Sequence, residues 1–146
     1  MDSPCAYTID STLSIGVIYK FEAPDLIDTD IPHFFIVVAI DAPDNYLVLC
    51  TTQLENKTKY FDKRKLDYSS LVYIKPDSLN KFKKDTYVNC NDYYTITTPV
   101  LKNKLESGSL SYIGNISLNH YLQIKNGIIQ SPINDLPEYL LIHPEE

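Results

Sequence analysis

In residues 33–40, HFFIVVAI, every position after the histidine is apolar. A strand with polar residues at alternate positions can leave one face in water, but an unbroken apolar run of this length cannot. The chain must therefore cover this segment on both sides. Pro32 precedes the run, and DAPDN (41–45) follows it with turn chemistry at Pro43, Asp44 and Asn45. YLVLCTT (46–52) is then the antiparallel return, so residues 33–52 predict a hairpin deep in a sheet.

The remaining pieces fit around that hairpin. GVIYKFEA (16–23) reads as a strand with Val17, Tyr19 and Phe21 on one face. APDLIDTDIP (23–32) is a Pro- and Asp-rich loop, longer than a plain hairpin link. QLENKTKYFDKRKLDYSS (53–70) is polar and Lys-rich and is expected to be a loop. LVYIKP (71–76) is a short strand stopped by Pro76, and DSLNKFKK (77–84) suits a single helical turn. Two short strands are expected at about Thr86–Cys90 and Tyr93–Thr97, with one ring of the Tyr93-Tyr94 pair in and one out.

A helix is expected over 116–132. Ser117 is the N-cap candidate, and Leu118, Tyr121, Leu122, Ile128 and Ile129 lie on one stripe before Pro132. Gly127 costs that helix about 1 kcal/mol relative to Ala. Residues 1–14 show no period and are expected to be a peripheral arm. INDLPEYLLIHPEE (133–146) either wraps the body or adds a strand at Tyr139–Ile142. The 146 residues make one domain, mainly β in an α+β arrangement: a small barrel or curled antiparallel sheet with a C-terminal helix.

Charge and cysteines narrow the function classes. The net charge is −6, yet residues 46–104 hold eleven of the thirteen basic residues against six acids. A basic middle between acidic ends offers one surface for an anionic partner, although Lys also guards strand edges against pairing. Cys5, Cys50 and Cys90 are odd in number and widely spaced, which argues against a disulfide framework or a zinc site. Cys50, inside an apolar strand, is expected to act as a small hydrophobe. No apolar run reaches the roughly 18 residues of a membrane span. MDSPCAYTID lacks the basic and apolar regions of a secretory signal, so a cytoplasmic location is expected.

The order of these pieces resembles the MazF/PemK-type toxins, small SH3-like barrels that share a fold with the CcdB gyrase poisons. The family's opening Gly and alternating strand match GVIYKF at Gly16. Its long loop, Arg-Pro and buried strand match the segment ending in HFFIVVAI. Its return strand, closing on a Thr, matches LVLCTTQ. Its later Thr-Ile step, basic-leucine stretch and G-x-(I/L)-S before the last helix match VNCNDYYTITTPVLKNKLESGSLSYIGNIS and LNHYLQIKNGIIQ. The likeness spans residues 15–131.

The resemblance implies metal-independent cleavage of single-stranded RNA through the ribose 2′-OH, with no cofactor. It also implies a homodimer and an antitoxin protein as partner. The family's Thr falls on Thr51, with Thr52 beside it. The family's Arg falls on His33, and the sole arginine of the chain is Arg64. An imidazole near its usual pKa of about 6.5 can shuttle a proton, and a hydroxyl can orient a phosphate. The expected catalytic residues are therefore His33, Thr51 and Thr52. Gln53, Lys57, Lys59, Tyr60, Lys63 and Arg64 are the expected RNA contacts, with Tyr60 and Phe61 stacking on bases. His120 is expected on a solvated helix face, and His143 near a loose tail. The other function class consistent with the residues is a non-catalytic barrel that binds protein or nucleic acid.

Overall fold

The computed structural model describes residues 7–24 and 31–146, with the backbone alone for Lys57. Strand β1 (Val17–Phe21) and the hairpin β2 (His33–Asp41) and β3 (Asp44–Thr51) form its centre. β2 pairs antiparallel with β1 on one edge and with β3 on the other. Phe35 and Val37 are fully buried on one face with Val17, Tyr19, Phe21 and Leu47. Ile36 and Val38 are fully buried on the opposite face with Ile18 and Val48. Each such side chain contributes roughly 1.5–3 kcal/mol when taken out of water. The apolar run thus occupies the doubly covered position that its sequence requires.

Four shorter strands extend the sheet: β4 (Leu71–Ile74), β5 (Thr86–Asn89), β6 (Tyr94–Thr97) and β7 (Leu110–Asn115). The path runs β4-β5-β3-β2-β1-β7, with β6 also on β3. All pairs are antiparallel, and the path ends at β4 and β7 without closing. One face is covered by α4 (Leu118–Gln130), through Tyr121, Ile124 and Ile128. The other is covered by α1 (Ile9–Thr12) and α3 (Thr98–Glu106), through Ile9 and Leu101. The architecture is the expected mainly β, α+β fold with a curled antiparallel sheet and a C-terminal helix.

A bulge ties helix and sheet together. The β2–β3 register skips Val38, between Val37 and Ala39. The Tyr121 hydroxyl of α4 donates to the Val38 carbonyl at 2.7 Å. The polar tip of a large apolar side chain therefore satisfies a backbone group that the ladder leaves free. Ser117 caps α4 as expected, its hydroxyl accepting from the His120 N–H.

Other elements differ from expectation. Residues 53–70 are not a loop, since Leu54–Arg64 form helix α2. It carries one fully buried side chain, Phe61, stacked on Tyr68, so no apolar stripe marks it in the sequence. α3 was unassigned, although Pro99 in its first turn and the Leu101–Leu105 spacing are helix signals. Residues 77–84 form turns, with no helical segment. In the tail, Glu138–Leu140 are a 3₁₀ turn instead of a strand, and Leu136 and Leu141 are buried against the core. His143 is therefore packed, its ring 5.2 Å from that of Tyr121. His120 is also largely buried, with Nδ1 3.7 Å from Asp77. Residues 1–6, including Cys5, and 25–30 of the Asp-rich loop lie outside the described residues.

The glycines show where backbones approach closely. A Cβ on Gly127 would stand 2.8 Å from Cys90 Sγ, so the glycine that weakens α4 lets it settle on the sheet. A Cβ on Gly114 of β7 would lie 2.4 Å from the Leu79 carbonyl oxygen, a rigid backbone group. Gly114→Ala should cost about 3 kcal/mol, at the upper end of overpacking penalties. A urea titration checks this, and an unchanged midpoint would contradict the close approach.

Candidate functional site

The site forms where the central hairpin opens. Phe35 lies opposite Leu49 across β2 and β3. Two residues further out, the same register would set His33 level with Thr51. By then β2 and β3 are no longer paired: His33 keeps its β1 neighbour, opposite Phe21, and Thr51 pairs with Tyr87 of β5. Between the parted ends lies a cavity of about 270 Å³. Its lining includes His33, Phe34, Thr51, Thr52, Gln53 and Thr86, together with Ile31, Pro32 and Cys50. The structure thus gathers four of the expected residues, His33, Thr51, Thr52 and Gln53, around one space.

Two features give the cavity chemical character. His33 Nδ1 is buried and has no hydrogen-bond partner among the described residues. A buried polar atom of this kind costs roughly 1–3 kcal/mol unless a ligand or water meets it. The Thr51 hydroxyl accepts from the Gln53 N–H at 3.0 Å, which fixes its position. That bond uses a lone pair and leaves the hydroxyl hydrogen available to donate. Gln53 Oε1 accepts from Asn56 at 2.6 Å, so its side chain is held at the start of α2. Gln53 directly precedes α2, whose first N–H groups, like those of any helix, lack intrahelical acceptors.

The expected basic contacts lie elsewhere. Lys59, Tyr60, Lys63 and Arg64 are on α2, and none lines the cavity. Lys59 is 3.7 Å from Glu55, one turn back. The Arg64 guanidinium sits 5.1 Å over the Tyr60 ring. Phe61 is fully buried and unavailable to stack on a base, which corrects that expectation. Lys57 is on the same helix, its side chain outside the described residues.

A second cluster of lysines stands at the site instead. Lys20, Lys81, Lys83 and Lys84 line a cavity of about 320 Å³ that shares Phe34, Thr52 and Thr86 with the first. Its signal in the sequence is the KFKK run at 81–84. Asn80, fully buried, shapes that segment: its Oδ1 accepts from the Asp77 and Phe82 N–H groups, and its Nδ2 donates to the Lys75 carbonyl.

No family model matches the sequence, and no curated protein matches it. Among solved structures, the chain is similar to an endoribonuclease from a mycobacterial species. The TM-score is 0.51 and the identity 16%, over 83% of this chain and 94% of that one. The chain has that protein's fold. The toxin MazF-mt6 of Mycobacterium tuberculosis gives a TM-score of 0.48 at 13% identity, over 77% of this chain and 91% of that one. The likeness to the mycobacterial endoribonuclease agrees with the mainly β, α+β fold expected from the sequence.

Two of the three cysteines lie among the described residues. Cys50 and Cys90 are buried, and desolvation pushes both thiols well above their usual range. Among the described residues, no group of three His, Cys, Asp or Glu side chains is placed to hold a metal. None of the helices described is long and apolar enough to cross a membrane. In a Cys5→Ser variant, a thiol reagent at mildly alkaline pH should label nothing in the native protein and both remaining cysteines after denaturation. Native labelling of Cys50 would show that the cavity reaches its sulfur.

Proposed function

We propose that this chain is a toxin-like endoribonuclease that cleaves single-stranded RNA without a metal, through the ribose 2′-OH. The observation that carries the proposal is the unpartnered His33 Nδ1, set across one cavity from the Thr51–Gln53 turn. The fold shared with an endoribonuclease supports it. The imidazole of His33 takes the 2′-OH proton, and the 2′ oxygen attacks phosphorus. The bond from phosphorus to the 5′ oxygen breaks, and the imidazolium returns the proton to that oxygen. The products are a 2′,3′-cyclic phosphate and a free 5′-OH, with no net proton consumed. Hydroxyls of Thr51 and Thr52 and the Gln53 amide orient the phosphate and donate to its oxygens as charge builds. The surroundings proposed for this activity are a cytoplasmic homodimer and an antitoxin protein that silences it.

One observation favours the second reading, a non-catalytic binding module. The family's Arg is His33 here, and Arg64 is engaged with Tyr60 on α2, outside the cavity. An Arg fork holds two phosphate oxygens at once, whereas an imidazole presents single donors.

The two readings separate in one assay. Purified protein is incubated with a long single-stranded RNA in excess EDTA, beside His33→Ala and Thr51→Ala. Cleavage should leave cyclic-phosphate ends, fall at least a hundredfold in His33→Ala, as removal of an acid–base group typically does, and fall less in Thr51→Ala. An intact substrate with well-folded wild-type protein, free of bound partner, would favour the binding module.

A further inference from the structure

We infer that Lys20, Lys81, Lys83 and Lys84 form a phosphate cradle that holds the strand flanking the phosphodiester in the His33 cavity. This rests on the ribonuclease reading of that cavity and names residues the reading did not contain.

Four features point to this role. The cradle is continuous with the first cavity through Phe34, Thr52 and Thr86, so one extended ligand can occupy both. All four of its charged lining residues are lysines, and among the described residues no Asp or Glu lines either cavity. The lysines are also held in place. Phe82 is buried between Lys81 and Lys83, with its ring edge-on to Phe34 at 5.4 Å. Lys81 takes the left-handed conformation, with φ of 58°, and its N–H donates to the Asp77 carbonyl at 3.1 Å. A non-glycine residue in that region is uncommon and is held there by its surroundings. Finally, Lys20 Nζ lies 5.2 Å from the centre of the Phe34 ring. An aromatic ring with a cation at its face, on the floor between two anion-binding cavities, suits a chain that alternates planar bases with phosphates.

The occupant that these features favour is single-stranded nucleic acid and not an acidic peptide. Lysine ammonium groups are point charges that suit spaced phosphodiesters and carboxylates alike, and the Phe34 ring shared by the two cavities, a surface on which a base can stack, favours the nucleic acid. Its position also supplies positive charge to the His33 cavity, which no Lys or Arg lines among the described residues.

The test uses a short, fluorescent 2′-O-methyl RNA, which has no free 2′-OH and cannot be cleaved by the proposed route. Its affinity is measured by anisotropy from about 50 mM to about 200 mM salt, the range over which phosphate contacts weaken strongly. The triple variant Lys20→Gln, Lys83→Gln, Lys84→Gln is compared with wild type, with circular dichroism to confirm folding. If three phosphate contacts are lost, the slope of log affinity against log salt should shrink by about 2, at about 0.7 per contact on a single strand. Lys102→Gln with Lys104→Gln, on α3 and lining neither cavity, should leave the slope unchanged. An unchanged slope in the triple variant, or no binding by wild type, overturns the cradle. Loss of polyglutamate binding with RNA binding retained also overturns it, in favour of an acidic protein partner. Cleavage of ordinary RNA is scored separately. A reduced slope without any cleavage keeps the cradle and sinks the nuclease, and cleavage with an unchanged slope does the reverse.

Discussion

Phe35, Ile36, Val37 and Val38 leave β2 no face for water, and the molecule is arranged around that fact. A doubly buried strand needs neighbours on both edges and cover on both faces. β1 and β3 supply the edges. α4 with the C-terminal tail covers one face, and α1 with α3 covers the other. The bulge at Val38 and the Tyr121 hydroxyl that meets its carbonyl couple the larger helix to this strand. Because the core is committed here, the ends of β2 and β3 are where the sheet can part without losing that burial.

The site follows from the same constraint. His33 and Thr51 are the first and last residues of a paired hairpin, so the register that buries Phe35 and Leu47 also aligns them. His33 keeps its neighbour in β1 while Thr51 takes one in β5, and the space between is rimmed by an imidazole, hydroxyls and an amide. A rigid core thereby positions polar groups at a mouth. That is the usual division of labour between a scaffold and the segments that carry chemistry.

Much of this was legible in the sequence where periodicity or turn chemistry was strong. The run HFFIVVAI and the Ser117 cap each specify one local structure, and each has it, whereas the DAPDN turn is tighter than its sequence suggests, with Asp44 and Asn45 already paired in β3. α2 was not legible because a single anchor, Phe61, holds it, and the rest of its surface is charged. Lys59, Lys63 and Arg64 lie on that helix and line neither cavity. The lysines that do line the site come from β1 and from the segment organised by Asn80. Their convergence depends on long-range packing that no local pattern encodes. Gly127 shows the same limit: helix propensity alone marks it as a defect, whereas the approach of α4 to Cys90 makes it a requirement.

The chain has three histidines, and both His120 and His143 lie outside the cavities lined by His33 and by the lysines. Nuclear magnetic resonance of the imidazole signals, during titration with an uncleavable 2′-O-methyl RNA, therefore tests directly whether RNA is held at the mouth of the hairpin. The account predicts that the His33 ring signals move as the complex forms while those of His120 and His143 stay in place. RNA binding that leaves His33 unmoved would contradict it.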